Sequence, residues 1–274
     1  MSEHGCWMYA VTDRDDAEDL TWLSGVSGVA GAEVRSIRAA GLTALVSDVD
    51  LAEFGAEPLR RHLEDLDWLE GVARAHHYVV DAAARLVSLL PIRLATVYTG
   101  DASVTAALRE RQAEFTSALA QVRDRVEWGV KAYAVPAATG TAAPGGGTPG
   151  GGTPGRGTQG RGTQGGGAGM AYLKRRRDEL AAREDTQRDA TAGARSVYAE
   201  LAGQASGARL HPPQSPQLSG ARAPMLLNAA YLIDRSDGTS FTSAVASAAG
   251  AHPELRLELT GPWPPYSFAG GEAP

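Results

Sequence analysis

The sequence predicts an α+β protein made of two small domains. Over the first 98 residues the predicted elements follow one another as strand, helix, strand, strand, helix and strand. That order is typical of a ferredoxin-like α/β sandwich. A segment of low complexity then interrupts the hydrophobic pattern, and the chain ends with a second run of strand, helix and strand, which predicts a C-terminal α+β domain.

The N-terminal elements are assigned from hydrophobic periodicity. Cys6 to Val11 is a short apolar strand, and Asp13 to Leu23 has the composition of a short acidic helix. Val34–Ala39 and Leu42–Val49 flank an Ala-Gly turn and predict a β-hairpin. From Pro58, which suits the first position of a helix, apolar residues recur at helical spacing to about Leu90 and predict one long helix.

The next elements follow from Pro91, which ends that helix because proline removes a helical hydrogen bond and clashes with the preceding turn. Ile92 to Tyr98 is predicted as a strand, and Asp101 or Ser103 can cap a second helix. Val126 to Val135 is the strand after it. Its apolar alternation and the C-terminal strand–helix–strand pattern predict that both belong to one sheet.

The composition changes abruptly in the middle of the chain. Thr139 to Gly169 consists of Gly-Gly-Gly-Thr-Pro and Gly-Arg-Gly-Thr-Gln pentads. Such a segment buries too little apolar surface to offset its chain entropy, so we expect it to be disordered. The predicted organisation is a ferredoxin-like domain at 1–125, a strand of the C-terminal domain at 126–135, a disordered Gly/Thr/Pro-rich linker at 136–169, a charged helix at 170–206, a Pro-rich linker at 207–223 and the C-terminal α+β domain at 224–274.

Composition limits the classes of function. The formal net charge of −6 argues against nucleic acid as the main partner. No apolar run approaches the roughly 20 residues that span a bilayer, and the N-terminus does not have the pattern of a signal peptide. The single cysteine, Cys6, is expected to be a buried, inert thiol. These features indicate a cytoplasmic protein without a membrane partner.

The segment Gly261-Pro262-Trp263-Pro264-Pro265-Tyr266-Ser267-Phe268 follows the last predicted strand, and we call it the strap. Its three prolines fix φ and remove backbone donors, so it cannot extend the sheet. It must hold its three aromatic side chains at set angles. We expect Trp263 to anchor the core and Tyr266 and Phe268 to contact a partner; the alternative is that all three cap the core of their own domain.

Four stretches of the chain resemble segments of the gas vesicle protein F/L family, and they occur in the same order as in that family. The strap resembles the C-terminal signature of that family. Leu90–Tyr98, Glu127–Tyr133 and Asn228–Ile233 resemble three further family segments. Leu94-Ala95 departs from the pattern, because an aromatic-glycine pair is expected there. The resemblance covers the chain except the low-complexity linker and the helix after it.

The resemblance implies an accessory or minor structural protein of the gas vesicle, located in the cytoplasm or on the vesicle. Its expected partners are the small hydrophobic shell protein and other gas vesicle accessory proteins, and it would assist shell assembly. A soluble protein that transiently covers the apolar surface of a shell subunit would prevent its aggregation.

Further candidate contacts come from the family-like strands. On a strand, Glu127 and Lys131 point to one face and Trp128 to the other. Trp128 is therefore expected to be a core anchor. Glu127 and Lys131 either form an ion pair on the outer face or contact a partner there. Arg93, between two apolar residues, can hold a domain interface or a partner carboxylate through its planar fork.

No catalytic, cofactor or metal site is predicted. His76 and His77 are adjacent on a helix, so their rings diverge and cannot share a metal, and His76 falls on the apolar stripe as a core residue. The common catalytic motifs are absent from the sequence, so we expect no enzyme activity. The alternatives are an enzyme of unknown chemistry and a nucleic-acid-associated protein that uses the basic run at 174–177.

We predict that replacing residues from about Gly140 to Gly169 with a short Gly-Ser loop leaves the protein folded. Loop-closure entropy changes slowly with length, so the free energy of unfolding should change by roughly 1–2 kcal/mol and the melting temperature by a few degrees. Thermal unfolding followed by circular dichroism measures this. A shortened protein that fails to fold would show that the segment is structural.

Overall fold

The computed structural model describes residues 4–13, 25–135, 165–214 and 223–269. The predicted acidic helix beyond Asp13 and the predicted linker as far as residue 164 lie outside the described residues. The strands are β1 (His4–Thr12), β2 (Val34–Ala39), β3 (Leu42–Asp50), β4 (Leu90–Pro91), β5 (Val97–Tyr98), β6 (Arg125–Ala134), β7 (Gly207–Leu210), β8 (Met225–Asp234) and β9 (Leu255–Trp263). The helices are α1 (Leu51–Phe54), α2 (Ala56–His62), α3 (Leu66–Ala84), α4 (Asp101–Glu110), α5 (Gln112–Val122), α6 (Gly165–Ala202) and α7 (Gly238–Ala251).

The N-terminal sheet has the strand order β2-β3-β1-β4, with β5 also paired to β1. All these pairs are antiparallel. This order and these directions are those of the split βαβ arrangement that the sequence predicted, and the α+β fold class is confirmed. β1 lies in the centre of the sheet, which explains why its residues from Gly5 to Thr12 are all buried.

Helices cover both faces of this sheet. Trp7 and Tyr9 project to one face and pack with the buried residues of α3. Cys6 and Met8 project to the other face, where α4 and α5 supply Leu108 and other apolar side chains. Because neighbouring residues of β1 point to opposite faces of the sheet, this strand contributes side chains to two separate apolar layers.

The predicted long helix is divided in two. α2 ends at His62 and α3 begins at Leu66, because the carboxylate of Asp65 accepts hydrogen bonds from the backbone N–H groups of Asp67 and Trp68 and caps a new helix. The apolar spacing runs through this break, so periodicity alone did not reveal it. The long helix of the sequence prediction was therefore wrong at this point.

The predicted strand Ile92–Tyr98 is interrupted. Its C-terminal end, Val97–Tyr98, pairs with β1 as β5, while β4 pairs with β1 just before the predicted strand begins. Ile92 and Thr96 each keep one backbone hydrogen bond to β1, and residues 93–95 bow away between them. Ala95 sits at φ 66°, in the left-handed region that a glycine would adopt without strain. The alanine therefore occupies the position where the family resemblance predicts glycine.

The second sheet has the order β7-β8-β6-β9, and all its pairs are antiparallel. β6 is a central strand, paired with β8 on one side and β9 on the other. Trp128 lies opposite Tyr231, and Lys131 lies opposite Glu258. The C-terminal half of α6 and the buried side of α7 pack on one face of this sheet.

Two predicted boundaries shift. Residues 207–210 of the predicted Pro-rich linker form β7, because the otherwise open edge of β8 offers backbone partners to an extended segment. The predicted charged helix 170–206 begins at Gly165 and ends at Ala202. Extending an existing helix orders one residue at a time, so α6 continues beyond its apolar stripe into the glycines.

The two sheets share an apolar cluster. Ala230 and Leu232 of β8 belong to the same buried cluster as Leu90, Leu119 and Val122 of the N-terminal part. Polar bonds add to this contact, since the guanidinium of Arg235 donates to the carbonyl of Ala84 at 2.8 Å, at the end of α3. None of the helices in the described ranges is long and apolar enough to cross a membrane.

We predict that Ala95→Gly stabilises the protein. An L-residue in the left-handed region costs about 1–2 kcal/mol, and glycine removes this strain while adding a smaller loss of chain entropy. The expected gain is about 1 kcal/mol, which corresponds to a rise in melting temperature of about 2–4 °C. The helical substitution Ala82→Gly in α3 is the matched control and should destabilise by about 1 kcal/mol. A lower melting temperature for Ala95→Gly would contradict the assignment of strain.

Candidate functional site: the strap between the two sheets

The prediction that the strap cannot extend the sheet was wrong for its first three residues, Gly261–Trp263, which form the end of β9 and lie close against β6. Gly261 has φ 118°, and a Cβ at this position would lie 2.8 Å from the carbonyl oxygen of Glu127. Across the same pair of strands, a Cβ on Gly129 would lie 2.6 Å from the Oγ1 of Thr260. These two glycines therefore let the end of β9 lie directly against β6, and they explain the glycine in both family-like segments.

Trp263 is exposed, contrary to the sequence prediction that it anchors the core. Thr260 pairs with Gly129 and Trp263 with Glu127, so β9 carries one extra residue at this point. Such a bulge reverses which face the following side chains occupy. The indole of Trp263 keeps 42% of its surface exposed and meets His77 edge-on, with ring centroids 5.7 Å apart.

Phe268 is buried, contrary to the prediction that it contacts a partner. Pro264 and Pro265 are buried and carry the chain inwards. A short 3₁₀ turn at Tyr266–Phe268 then places the Phe268 ring in the apolar cluster that the two sheets share. Only 3% of Phe268 is exposed, and the guanidinium of Arg209 lies 5.4 Å from its ring centroid. Phe268 therefore occupies the buried position that was predicted for Trp263.

Tyr266 packs on the opposite face of the N-terminal sheet. Its ring lies against the cluster that contains α3, with centroids 6.4 Å from His76 and 6.1 Å from His77. Its hydroxyl is buried and has no hydrogen-bond partner among the described residues. Burial raises the pKa of this hydroxyl. The ring of Tyr266 is half-buried, so it can offer only part of its surface to another protein.

Glu127 is occupied by the strap and does not pair with Lys131. Its carboxylate accepts hydrogen bonds from the backbone N–H and the hydroxyl of Ser267, each at 2.7 Å. Burial raises the pKa of Glu127, although both bonds from Ser267 favour the charged form. His211 lies 3.0 Å from the Ser267 hydroxyl on its other side. The face predicted to bind a partner is thus partly covered by the chain itself.

The remaining candidates lie in different places. Lys131 is half-buried, and its Nζ donates to Gln214 at 3.1 Å. Arg93 is exposed on the bowed segment between β4 and β5, where its carbonyl accepts a bond from the Thr96 hydroxyl. Trp128 packs against Phe241 of α7 with centroids 6.3 Å apart, as expected for a structural anchor. The structure therefore does not bring Arg93, Lys131 and the strap into one site.

His76 is the buried polar residue behind the strap. Its Nδ1 accepts a hydrogen bond from the indole N–H of Trp7 at 2.9 Å, so the proton is on Nε2, which faces the carbonyl of Ile92 at 3.1 Å. Burial lowers the pKa of His76 to about 4. The neutral ring is therefore a fixed bridge between β1, α3 and the residue after β4.

Two clusters resemble reactive sites but lack the required arrangement. Ser267 lies between His211 and Glu127, but its hydroxyl proton points to the carboxylate, and Glu127 does not orient the histidine as an activating triad would require. Cys6, Asp48 and Asp101 also converge, but the guanidinium of Arg35 lies among them and donates to both carboxylates at 2.6 Å. Burial and the Asp101 contact raise the pKa of the Cys6 thiol to about 11. This thiol is protonated at neutral pH.

Comparison with known proteins identifies the family. The family model described as gas vesicle synthesis protein GvpL/GvpF matches residues 5–270. The chain belongs to this family. It is 38% identical over 236 residues to gas vesicle protein L of Streptomyces sp. (strain CB03234), across 86% of this chain and 83% of that protein. Gas vesicle protein F of the same strain is 29% identical over 235 residues, across 86% of this chain and 87% of that protein.

Solved structures share the fold. The crystal structure of gas vesicle protein GvpF from Anabaena sp. PCC7120 aligns with a TM-score of 0.62 at 19% identity and covers 98% of both chains. GvpF from Microcystis aeruginosa aligns with a TM-score of 0.59 at 16% identity, over 97% of this chain and 99% of that chain. The family resemblance and the fold class predicted from the sequence are both confirmed.

We predict that His76 makes the protein less stable in acid. Unfolded histidine has a pKa of about 6.5 and folded His76 about 4, so the unfolded state binds the proton first as the pH falls. Stability should be complete above about pH 6.5 and should fall by about 3 kcal/mol by pH 4. Urea unfolding at several pH values measures this.

The matched variant is His76→Gln, whose amide can accept from Trp7 and donate to Ile92 without titrating. The difference in free energy of unfolding between the two proteins should shrink or reverse as the pH falls. An identical pH slope for both proteins would show that His76 does not carry the effect.

Proposed function

We propose that this chain is an accessory protein of gas vesicle assembly that binds the small hydrophobic shell protein through the outer side of the strap. Its membership of the GvpL/GvpF family supports a role in gas vesicle formation. The observation that supports this binding surface is the exposure of Trp263. Its side chain is 42% exposed although it lies in a rigid, proline-rich segment. A large aromatic side chain that is exposed and held in one place is typical of a binding hot spot.

The structure around Trp263 favours a fixed orientation of the indole. His77 of α3 supports one edge of the ring, and the bulge on β9 sets the direction of the side chain. The prolines after it are buried and anchor the segment. A partner would therefore meet a ring that loses little conformational freedom on binding, which lowers the entropic cost of association.

The size of this contact can be estimated from area. An aromatic side chain buries about 150–250 Å² when it is covered completely, so the exposed part of Trp263 offers roughly 100 Å². At about 25 cal/mol per Å², covering it contributes about 2–3 kcal/mol. This is a substantial share of the binding free energy, but a micromolar complex requires about 8 kcal/mol. The shell protein must therefore contact further residues, for which Tyr266, Lys131 and Arg93 remain proposals.

We predict that Trp263→Ala weakens capture of the small gas vesicle shell protein by at least about tenfold, because it removes an exposed aromatic contact. Co-expression of the two proteins followed by affinity capture and quantification of the shell protein measures this. The exposed apolar residue Leu66 at the start of α3 provides the control, and Leu66→Ala should leave capture unchanged. Undiminished capture by the folded Trp263→Ala protein would remove the strap from the interface.

The substitution at Phe268 separates stability from binding. Phe268→Ala removes a buried ring and should lower the free energy of unfolding by about 3–5 kcal/mol. Trp263→Ala should lower it by less than Phe268→Ala does, because 42% of Trp263 is exposed and only 3% of Phe268 is. If the wild-type protein does not capture the shell protein at all, the proposed partner is wrong, whatever the variants do.

A further inference from the structure

The two halves of α6 have different environments. Ala190, Ala194, Val197 and Leu201 of the C-terminal half are buried against the second sheet. In the N-terminal half every large apolar side chain is exposed: Met170 by 74%, Tyr172 by 59%, Leu173 by 65% and Leu180 by 47%. This half of the helix therefore has an apolar stripe that no described part of the chain covers.

Leu173 and Leu180 belong to a regular repeat. They are seven residues apart, and the same spacing continues through Gln187 and Ala194 to Leu201. Residues at this spacing lie along one line of a helix, with only a slow drift around it. The line that packs against the sheet at its C-terminal end thus continues as an exposed line at its N-terminal end. A seven-residue apolar line is the feature through which helices pair with each other.

The charges along the exposed half are ordered. Residues 174–177 are four consecutive basic residues. Residues 178–189 contain five acidic and two basic residues, which leaves a net charge of −3. The helix dipole does not explain this order, because basic groups near the N-terminal end of a helix are unfavourable. The segment therefore has one positive and one negative end, and it is complementary to a reversed copy of itself.

We propose that two copies of this chain pair through the N-terminal half of α6 in an antiparallel orientation, with Leu180 at the two-fold axis. Such an interface uses the same surface of both copies. With Leu180 at the axis, Arg176 lies opposite Glu184 of the second copy, and Arg175 lies opposite its Asp185. In the same register Leu173 lies opposite Gln187 of the second copy, so the apolar contact is centred on the two Leu180 side chains and the charged pairs lie on either side of it.

The charges of α6 also argue against a parallel pair and against nucleic acid or an anionic surface as the binding partner of this helix. A parallel arrangement would place the basic run of one copy against that of the other, where like charges repel. Nucleic acid or an anionic surface would bind residues 174–177 but would be repelled by the acidic stretch that follows them. This inference is independent of the proposed function, because it concerns only the association of the chain with itself.

The mass of the full-length protein in solution tests the pairing. Sedimentation equilibrium over a concentration series should give a mass that rises from 28.5 kDa towards twice that value. Leu180→Asp should shift the protein to the monomer and reduce the association constant at least tenfold. Leu66→Asp is the matched control, because Leu66 is 76% exposed on α3, and this variant should still form dimers. A wild-type protein that remains monomeric at every concentration would overturn the proposal.

Charge reversal tests the complementarity. Arg175→Glu with Arg176→Glu should abolish the dimer, and adding Glu184→Arg and Asp185→Arg in the same chain should restore it. Raising the salt concentration from about 0.1 M to about 1 M shortens the Debye length from about 10 Å to about 3 Å and should weaken the wild-type dimer. A dimer that is unaffected by the double reversal would contradict the pairing.

Engineered cysteines test the orientation. In the antiparallel pair, Leu180→Cys places two thiols at the axis and should give a covalent dimer on oxidation, while Leu173→Cys should not. The native Cys6 is buried and does not interfere. Equal cross-linking of both variants would indicate a parallel pair and would overturn the proposed geometry.

Discussion

The attachment of Ser267 to Glu127 is the constraint on which the arrangement of the two sheets depends. Two hydrogen bonds hold Ser267 to the central strand β6. Its neighbours, Tyr266 and Phe268, lie in the apolar layers on opposite faces of the N-terminal sheet. One short turn therefore fixes the second sheet against both faces of the first. Hydrogen bonds to a charged carboxylate contribute about 1.5–3 kcal/mol each, so the attachment is comparable with the burial of a large side chain.

The strap packs on a polar element that is itself fixed. His76 is held between Trp7 and Ile92, and the rings of His76 and His77 contact Tyr266. A charged His76 would lose its acceptor for the Trp7 indole and would be desolvated in the apolar layer. The neutral histidine is therefore part of the surface on which the strap lies. Protonation of this one α3 residue would weaken the packing of the strap against the N-terminal sheet.

Much of this fold was predictable from the sequence. The period-two pattern of β6 and β9 and the hairpin of β2 and β3 identified these elements. The predicted cap at Asp101 or Ser103 was wrong, because Gly100 stands at the N-cap of α4 without a side-chain hydrogen bond. The helix predicted to end at Pro91 already ends at Ala84. The errors have local physical causes. Asp65 starts a new helix inside a continuous apolar stripe, and Ala95 bows a strand outwards without any glycine to signal it. At the strap, one extra residue on β9 reversed the predicted burial of Trp263 and Phe268. A bulge leaves no mark in hydrophobic periodicity, because it changes the pairing between strands and not the composition of either.

Among the described residues, the exposed Trp263 and the exposed apolar stripe of α6 belong to different elements, and this determines how the protein can bind an apolar partner. A single large apolar patch would promote aggregation of the protein itself. Small separate apolar surfaces, each contributing a few kcal/mol to binding, allow the protein to stay in solution. Tight binding would then need several such contacts at once. If α6 pairs two copies, each dimer presents two straps, and a partner assembly with repeated subunits could engage both. The second contact would then form at a high effective concentration, which raises the overall affinity without any stronger individual contact.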